Sequence, residues 1–208
     1  MKSNEGLAMN TLSRTAVTGL MATVMTFAWQ TGDAETHELL DKCTICHGAD
    51  GISAESAYPS IAGIPVDVQV DAMRGYRDGT RDCGPVTRMC KITEELSDQE
   101  ILELSEYFAA FPFVPAEQEY DATLVERGMH LHEDYCEVCH GDSPEDADRS
   151  ILHGQWSGYL RYSLSQYKIG ARKQPPSMRR QTEKLSQEDI DALVSFYASY
   201  TEDEPAQE

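Results

Sequence analysis

The sequence of 208 residues is poor in basic side chains. It has 17 lysines and arginines against 36 aspartates and glutamates, a formal net charge of -19 at pH 7. A protein that binds nucleic acid needs a basic surface to contact the phosphates, so this balance excludes that class of partner. The charge predicts a partner with a basic docking surface, or serves only to keep an exported protein soluble and monomeric.

Aromatic residues and long apolar runs are also scarce. With 8% aromatic and 40% apolar residues, a domain of half this length would have a small apolar core and would need further stabilisation, for example by a bound cofactor. The apolar run 15–29 is too short for an ordinary transmembrane span, and Lys2 and Arg14 precede it. This pattern predicts an export signal over 1–34, with an uncleaved anchor as the alternative because the cleavage site is not a clean Ala-x-Ala.

Cysteine is rare too, and its six copies can be assigned one by one. Four of them lie in two Cys-x-x-Cys-His motifs, 43–47 and 136–140. In this pattern the thiols form thioethers to the vinyl groups of a haem and the histidine coordinates the iron. One copy could be a redox or zinc pair, but two copies in an exported, repeated chain favour haem. The sequence predicts two covalently bound haems c, attached through Cys43, Cys46, Cys136 and Cys139, with His47 and His140 as iron ligands.

An internal repeat relates the two halves of the chain. Cys43 and Cys136 are 93 positions apart, and Met89 and Met178 are 89 apart. No segment is convincing as a strand, and the prolines after residue 111 favour an extended connection. We expect an all-α fold of two tandem cytochrome c-like haem domains joined by a short proline-containing linker. The expected boundaries are 35–111 for the first domain, 112–120 for the linker and 121–208 for the second domain.

Four helices can be placed by their ends. Ser97 and Ser186 each stand three positions before an acidic residue, the pattern of a capping box, so a packing helix is expected to follow each. Shorter helices are expected before the motifs, over 35–42 and 121–135. Gly128 lies in the second of these and predicts a close approach of two helices.

The second axial ligand of each iron has to come from outside the motif. Met89 and Met178 occupy equivalent places in the repeat, just before a helix, and we expect them to be these ligands. Met73 and Met129 lack partners at the repeat spacing and are interpreted as core residues. A thioether raises the potential of the haem and fills its sixth position, which favours electron transfer over oxygen or peroxide chemistry.

Histidine is the alternative axial ligand. The four histidines outside the motifs do not recur at equivalent positions; they are His37, His130, His132 and His153. We expect His130 and His132 to face water and His153, beside Gly154, to lie near a haem edge.

The last two cysteines bracket Met89. A disulfide between Cys83 and Cys90 would close a short loop and hold the methionine in place in an oxidising compartment. The alternative is that Cys90 serves as a thiolate ligand. Arg81 and Arg172, at matching positions of the repeat, are expected either to pair with haem propionates or to be exposed arginines at helix ends.

The sequence resembles the di-haem cytochrome subunit of flavocytochrome c sulfide dehydrogenase, which is related to the c-four type of di-haem cytochromes. The resemblance covers nearly all of the exported chain and is sharpest over 131–140 and 151–156, followed by Tyr159 and Tyr162. It implies a periplasmic protein and a partner subunit that carries FAD and oxidises sulfide. The FAD would be on that partner, and two one-electron haems can accept the two electrons of a flavin in turn. The Cys83 and Cys90 pair departs from the usual pattern of the family.

Three functions therefore compete. The first is an electron-transfer subunit of a sulfide dehydrogenase, not an enzyme by itself, that passes electrons to a small cytochrome or oxidase. The second is a free c-four type carrier that serves a terminal oxidase. The third is a di-haem peroxidase-type enzyme, which would need an open iron position.

Overall fold

The computed structural model describes residues 32–83, 88–144, 146 and 149–201. The expected export segment, 1–34, lies outside these residues apart from its last three. Of the helices within the described ranges, none has the length and apolar character needed to cross a membrane.

The described part of the chain is helical, as predicted. The first half contains α1 (Gly32–His47), α2 (Val66–Arg77), α3 (Arg88–Thr93) and α4 (Asp98–Ala109). The second half contains α5 (Val125–Tyr135), α6 (Glu137–His140), α7 (Ser157–Lys168), α8 (Pro176–Thr182) and α9 (Gln187–Ala198). Within those ranges the only extended pairing is an isolated antiparallel bridge between Arg81 and Arg172.

The two predicted capping boxes are confirmed. Ser97 accepts a hydrogen bond from the backbone N–H of Glu100, whose carboxylate accepts one from the backbone N–H of Ser97 at 2.7 Å. Ser186 and Asp189 make the same reciprocal pair at the start of α9, with distances of 3.0 and 2.8 Å. Each box satisfies two amides that the first turn of a helix would leave unpaired, so α4 and α9 begin where the sequence indicates.

A glycine ends the helical segment at each haem motif. Gly48 and Gly141 directly follow the motif histidines and have φ angles of 80° and 61°. Glycine adopts these left-handed values without the steric penalty of a side chain, so the chain can turn away immediately after each histidine. The helix expected over 35–42 is longer in the structure, since α1 continues through the first motif to His47.

Each half has its own apolar core. The first is built around Ile101, Leu104 and Phe108 of α4, and the second around Ile190 and the same face of α9. In the second half, α5 crosses α9 at Gly128, where an added Cβ would collide with the backbone of Ala192. The predicted close approach at Gly128 is confirmed, and the crossing holds the helix that leads into the second motif.

The two halves are joined by polar contacts as well as by the linker. Ser60 donates its backbone N–H to Oε1 of Gln155 at 2.9 Å, and Nε2 of Gln155 donates to the carbonyl of Ser60 at 2.8 Å. The indole of Trp156 donates to the carbonyl of Ser53 at 2.9 Å. In the segment 112–120, the N–H of Ala116 bonds to the carbonyl of Gly154 at 2.8 Å. These contacts bring the loops that follow the two haem motifs together.

Candidate haem sites

A cavity of about 530 Å³ lies beside the first motif. Cys43, Cys46 and His47 line it from α1, and Met89 lines it from α3. Tyr159 and other residues of the second half form part of its wall. The cavity thus brings the predicted attachment cysteines and both predicted axial ligands of the first haem together, and it opens onto the contact between the halves.

His47 is held in the orientation that a metal ligand needs. The ring is buried, and Nδ1 lies 2.8 Å from the carbonyl of Pro59, which can only accept, so Nδ1 carries the proton. Nε2 is left free to coordinate. Burial lowers the pKa of His47, which keeps the imidazole neutral and able to bind iron.

The second motif repeats this arrangement. Nδ1 of His140 donates to the carbonyl of Ser150 at 3.0 Å, which again leaves Nε2 free. Burial lowers the pKa of His140 as well. Because Pro59 and Ser150 act through backbone carbonyls, the side-chain sequence alone gives no signal for them.

The predicted attachment cysteines take no part in a disulfide within the described residues. Cys43 and Cys136, the first cysteine of each motif, pack against the apolar cores of their own halves. Each motif is thereby anchored to the interior of its half.

Two methionines, not one, line the first cavity. Met73 of α2 reaches it together with Met89, although the sequence pattern assigns Met73 to the core, where it also packs. In the second half, Met178 is half-buried on α8. The repeat distinguishes the two methionines of the first cavity, since Met89 has a counterpart in Met178 and Met73 has none.

Cys83 and Cys90 are joined as a disulfide, with Cα atoms 5.9 Å apart. Cys83 lines the cavity, and Cys90 directly follows Met89 on α3. The covalent link connects the methionine helix to the chain segment after α2. The second half has no such link. There α8 begins with Pro176, which follows Pro175, and the rings of these two prolines restrict the backbone.

Arg81 and Arg172 meet at the contact between the halves. Arg81 donates to the hydroxyl of Tyr159 at 3.0 Å, and Arg172 donates to Ser163 at 2.7 Å. The Nε atoms of both arginines are buried and have no hydrogen-bond partner among the described residues. An unpaired buried N–H of a cation is costly, so two carboxylates are the complement that this pair lacks. The propionates of a haem would supply them, and the site therefore fits this cofactor.

The positive charge of the arginine pair also acts on its neighbours. Burial by itself would raise the pKa of Tyr159, but the charges of Arg81 and Arg172 outweigh it and lower the pKa to about 8. The guanidinium of Arg172 lies 5.2 Å from the ring centre of Tyr162. In the sequence Tyr159 and Tyr162 stand out only as parts of a family pattern. Their hydrogen-bond partners, Arg81 and Asp82, come from the other half of the chain.

One expectation about the histidines is wrong. His130 is exposed, as predicted, and it bonds to Glu133. His132, in contrast, is only 1% exposed. Its Nδ1 lies 2.9 Å from the hydroxyl of Tyr197, and its ring packs 4.8 Å from that of His153. The crossing of α5 and α9 covers His132, a tertiary effect that a polar residue type does not indicate.

The family of this chain follows from its similarity to proteins of known type. It is 30% identical over 174 residues to the cytochrome c4 of Azotobacter vinelandii, an alignment that covers 74% of this chain and 82% of that protein. The chain belongs to the cytochrome c4 family. No protein-family model matches it.

Two further similarities extend this result. The crystal structure of the reduced recombinant cytochrome c4 from Pseudomonas stutzeri matches with a TM-score of 0.67 and 25% identity, covering 81% of this chain and 97% of that one. The thiosulfate dehydrogenase electron acceptor of Thiomonas intermedia is 28% identical over 146 residues, which is 64% of this chain and 66% of that protein. The expected relationship to the c-four type of cytochrome is confirmed.

As a member of this family, the chain is a di-haem electron-transfer protein with two covalently bound haems c in two tandem helical domains. The predicted fold class and cofactor are therefore confirmed.

Proposed function

We propose that this chain is a periplasmic electron relay that accepts electrons from a dehydrogenase of a reduced inorganic sulfur compound and passes them to a small cytochrome or oxidase. The observation that carries the proposal is the shared site between the halves. The first cavity is walled by residues of both halves, and Arg81 and Arg172 meet there. An electron that reaches one haem site can thus be passed to the other within a single chain.

The proposed ligand sets are His47 with Met89 for the first haem and His140 with Met178 for the second. The haems supply one-electron chemistry, which lets a two-electron donor be oxidised in two steps. His47 and His140, oriented by the carbonyls of Pro59 and Ser150, would hold the iron. Met89 and Met178 would complete its ligands and leave no position for a substrate, as expected for a carrier and not for a peroxidase-type enzyme.

The arginine pair has a separate role in this proposal. It keeps positive charge beside the propionates in a buried setting, where charges interact strongly. The domain boundaries at 35–111, 112–120 and 121–208 fit this assignment, because each half then holds one motif, one of the two methionines matched by the repeat and one capped helix.

The sulfur compound can be thiosulfate or sulfide. Similarity to the thiosulfate dehydrogenase electron acceptor of Thiomonas intermedia supports a thiosulfate dehydrogenase as the donor. The run that resembles the sulfide dehydrogenase subunit supports an FAD-containing donor. However, Trp156, Tyr159 and Tyr162 of that run bond to Ser53, Arg81 and Asp82 of the other half, so internal packing accounts for them. The thiosulfate donor is therefore the better supported of the two.

Native purification tests this proposal. The chain is isolated from its own cells without detergent or high salt, and the visible spectrum is followed after adding thiosulfate or sulfide. Reduction by thiosulfate in the absence of flavin supports the first donor, and reduction by sulfide with co-purified FAD supports the second. If neither compound reduces the haems in fresh extract, the chain is a general carrier to a terminal oxidase and the proposal is wrong.

The periplasmic location is also part of the proposal. It is supported by the apolar segment 15–29, by haem attachment, which occurs outside the cytoplasm in bacteria, and by the Cys83–Cys90 disulfide. Fractionation of the native cells by osmotic shock should release the haem-stained chain with periplasmic marker enzymes. Recovery with the membranes would indicate an uncleaved anchor instead.

A further inference from the structure

The cations of this acidic chain are distributed unevenly on its surface. Several are neutralised by carboxylates, as where Arg77 bonds to Asp98, Arg127 to Asp189 and Arg161 to Asp191. A different situation holds around Met178, where four exposed cations follow one another in the segment 173–184: Lys173, Arg179, Arg180 and Lys184. Within the described residues none of these four side chains has an acidic partner. We call this segment the basic methionine segment.

The matching segment of the first half does not share this charge. The basic methionine segment contains four cations and one carboxylate, Glu183, for a formal net charge of +3. Its counterpart, 84–95, contains two cations and two carboxylates and is neutral. Lys184 corresponds to Glu95 in the repeat, so one position even carries opposite charges. The asymmetry marks the second haem site as the one with a distinct surface.

The basic methionine segment adjoins the exposed part of the second motif. The ammonium group of Lys184 lies 5.3 Å from the ring centre of Tyr135, the residue before Cys136. In that motif Val138 is 98% exposed, whereas the equivalent Ile45 of the first motif is 73% exposed. An apolar residue at the attachment site, bordered by cations, has the composition of a transient docking surface.

Three carboxylates lie close in sequence to this surface and limit the extent of its positive charge. Glu183 is inside the segment, and Asp134 and Glu137 flank the motif on α5 and α6. Arg179 and Arg180 lie on α8 and Lys173 and Lys184 lie just outside its two ends, so a partner has to present its charge along this segment. A complementary partner carries an acidic patch with a small apolar centre.

We propose that the basic methionine segment, with Val138, is the docking surface for an acidic electron-transfer protein, and that electrons enter or leave the chain through the second haem. The proposal rests on the electron-transfer function and not on the identity of the sulfur donor. The net negative charge of the chain repels an acidic partner from the rest of the surface, and the local charge of +3 attracts it at this segment. The contrast places the partner at the second haem site and not at the first.

The test is electron transfer from the reduced holoprotein to an oxidised small acidic blue-copper protein, followed by stopped flow. The variants are Arg179→Gln/Arg180→Gln, Arg180→Gln alone and Lys91→Gln. Lys91 is the matched control because it stands two positions after Met89, as Arg180 stands two positions after Met178. All three side chains are exposed, so the variants should fold.

We expect the double variant to lower the second-order rate constant at least five-fold at low ionic strength and Arg180→Gln to lower it at least two-fold. Lys91→Gln should change it by less, and the difference should vanish at high salt. Equal effects of Arg180→Gln and Lys91→Gln, or none, would overturn the proposal.

Vesicles of anionic phospholipid provide the competing outcome. If the double variant loses sedimentation with these vesicles but keeps its rate with the blue-copper protein, the segment binds lipid and the docking proposal is wrong. Failure of thiosulfate or sulfide to reduce the native protein would reject only the sulfur donor, because the blue-copper reaction does not depend on it.

Discussion

Single residues at the haem sites give the most direct tests of the proposed ligands. Leucine is close to methionine in volume but has no sulfur, so Met89→Leu and Met178→Leu should remove the ligand with little effect on packing. We expect each to remove about half of the absorption of sulfur-bound ferric haem, to lower the potential of one haem and to allow carbon monoxide to bind the reduced iron. Visible and near-infrared spectra measure all of this.

Met73→Leu is the matched control, because Met73 lines the same cavity as Met89. It should leave the sulfur-bound signature intact. Loss of that signature in Met73→Leu, with retention in Met89→Leu, would show that Met73 of α2 is the ligand and Met89 is not.

A second residue-scale prediction concerns acid stability. Burial, reinforced by the positive charge of His132 when that residue is protonated, lowers the pKa of His153 to about 3. The unfolded chain takes up the proton near pH 6.5, but the folded chain does not until about pH 3. The stabilising contribution is complete above pH 6.5 and is lost progressively as the pH falls through this window.

His153→Phe should remove this acid sensitivity. Neither ring nitrogen of His153 has a hydrogen-bond partner among the described residues, so phenylalanine costs no hydrogen bond. We expect similar stability of the holoprotein at pH 7 and a higher free energy of unfolding than wild type at pH 5, measured in guanidinium chloride. His130→Gln is the control at an exposed histidine. An unchanged pH dependence in His153→Phe would show that other groups govern acid unfolding.

At the scale of elements, the two methionine helices are held in different ways. The disulfide from Cys83 to Cys90 ties α3 to the preceding segment, whereas α8 starts with Pro176, directly after Pro175. Both devices reduce the freedom of the unfolded segment, but only the first can be removed by a reductant.

Cys83→Ser/Cys90→Ser should therefore weaken the ligand of one haem only. We expect Met89 to be displaced by added imidazole at a concentration several-fold lower than in the wild type, because the disulfide contributes about 2 kcal/mol to holding a short loop. The displacement of Met178 in the same molecule is the internal control. Spectral titration measures both, and an equal change at the two haems would contradict the role of the disulfide in positioning Met89.

For the whole molecule, the contact between the halves determines whether they unfold together. Gln155 is buried and makes two hydrogen bonds to the backbone of Ser60. Gln155→Leu leaves that N–H and carbonyl unpaired, which costs on the order of 1–3 kcal/mol for each buried group.

Thermal unfolding, followed at haem absorption and by calorimetry, should change from one transition to two in Gln155→Leu. Gln174→Leu is the control, since Gln174 bonds only to Tyr167 and Thr182 within the second half in the described structure. It should lower stability without separating the transitions. A single transition in both variants would mean that the other contacts, such as Trp156 with Ser53 and Arg81 with Tyr159, couple the halves without Gln155.

The amino-acid sequence by itself determined the parts of this protein that depend on local spacing. The motifs at Cys43 and Cys136 and the capped starts of α4 and α9 were predictable, because each works through neighbours within a few positions or through a simple repeat. The close approach at Gly128 was predictable from its lack of a side chain, although its partner Ala192 was not. The cytochrome type follows from the same patterns.

Only the tertiary structure decided which distant groups meet. The fold brings the carbonyls of Pro59 and Ser150 to the histidines of the two motifs. Packing between helices buries His132 and places Met73 in the cavity. The contacts of Gln155, Tyr159 and Arg172 with the first half depend on how two domains dock. Such contacts join residues about 80 to 100 positions apart through backbone groups and shared burial, which no residue type announces along the chain.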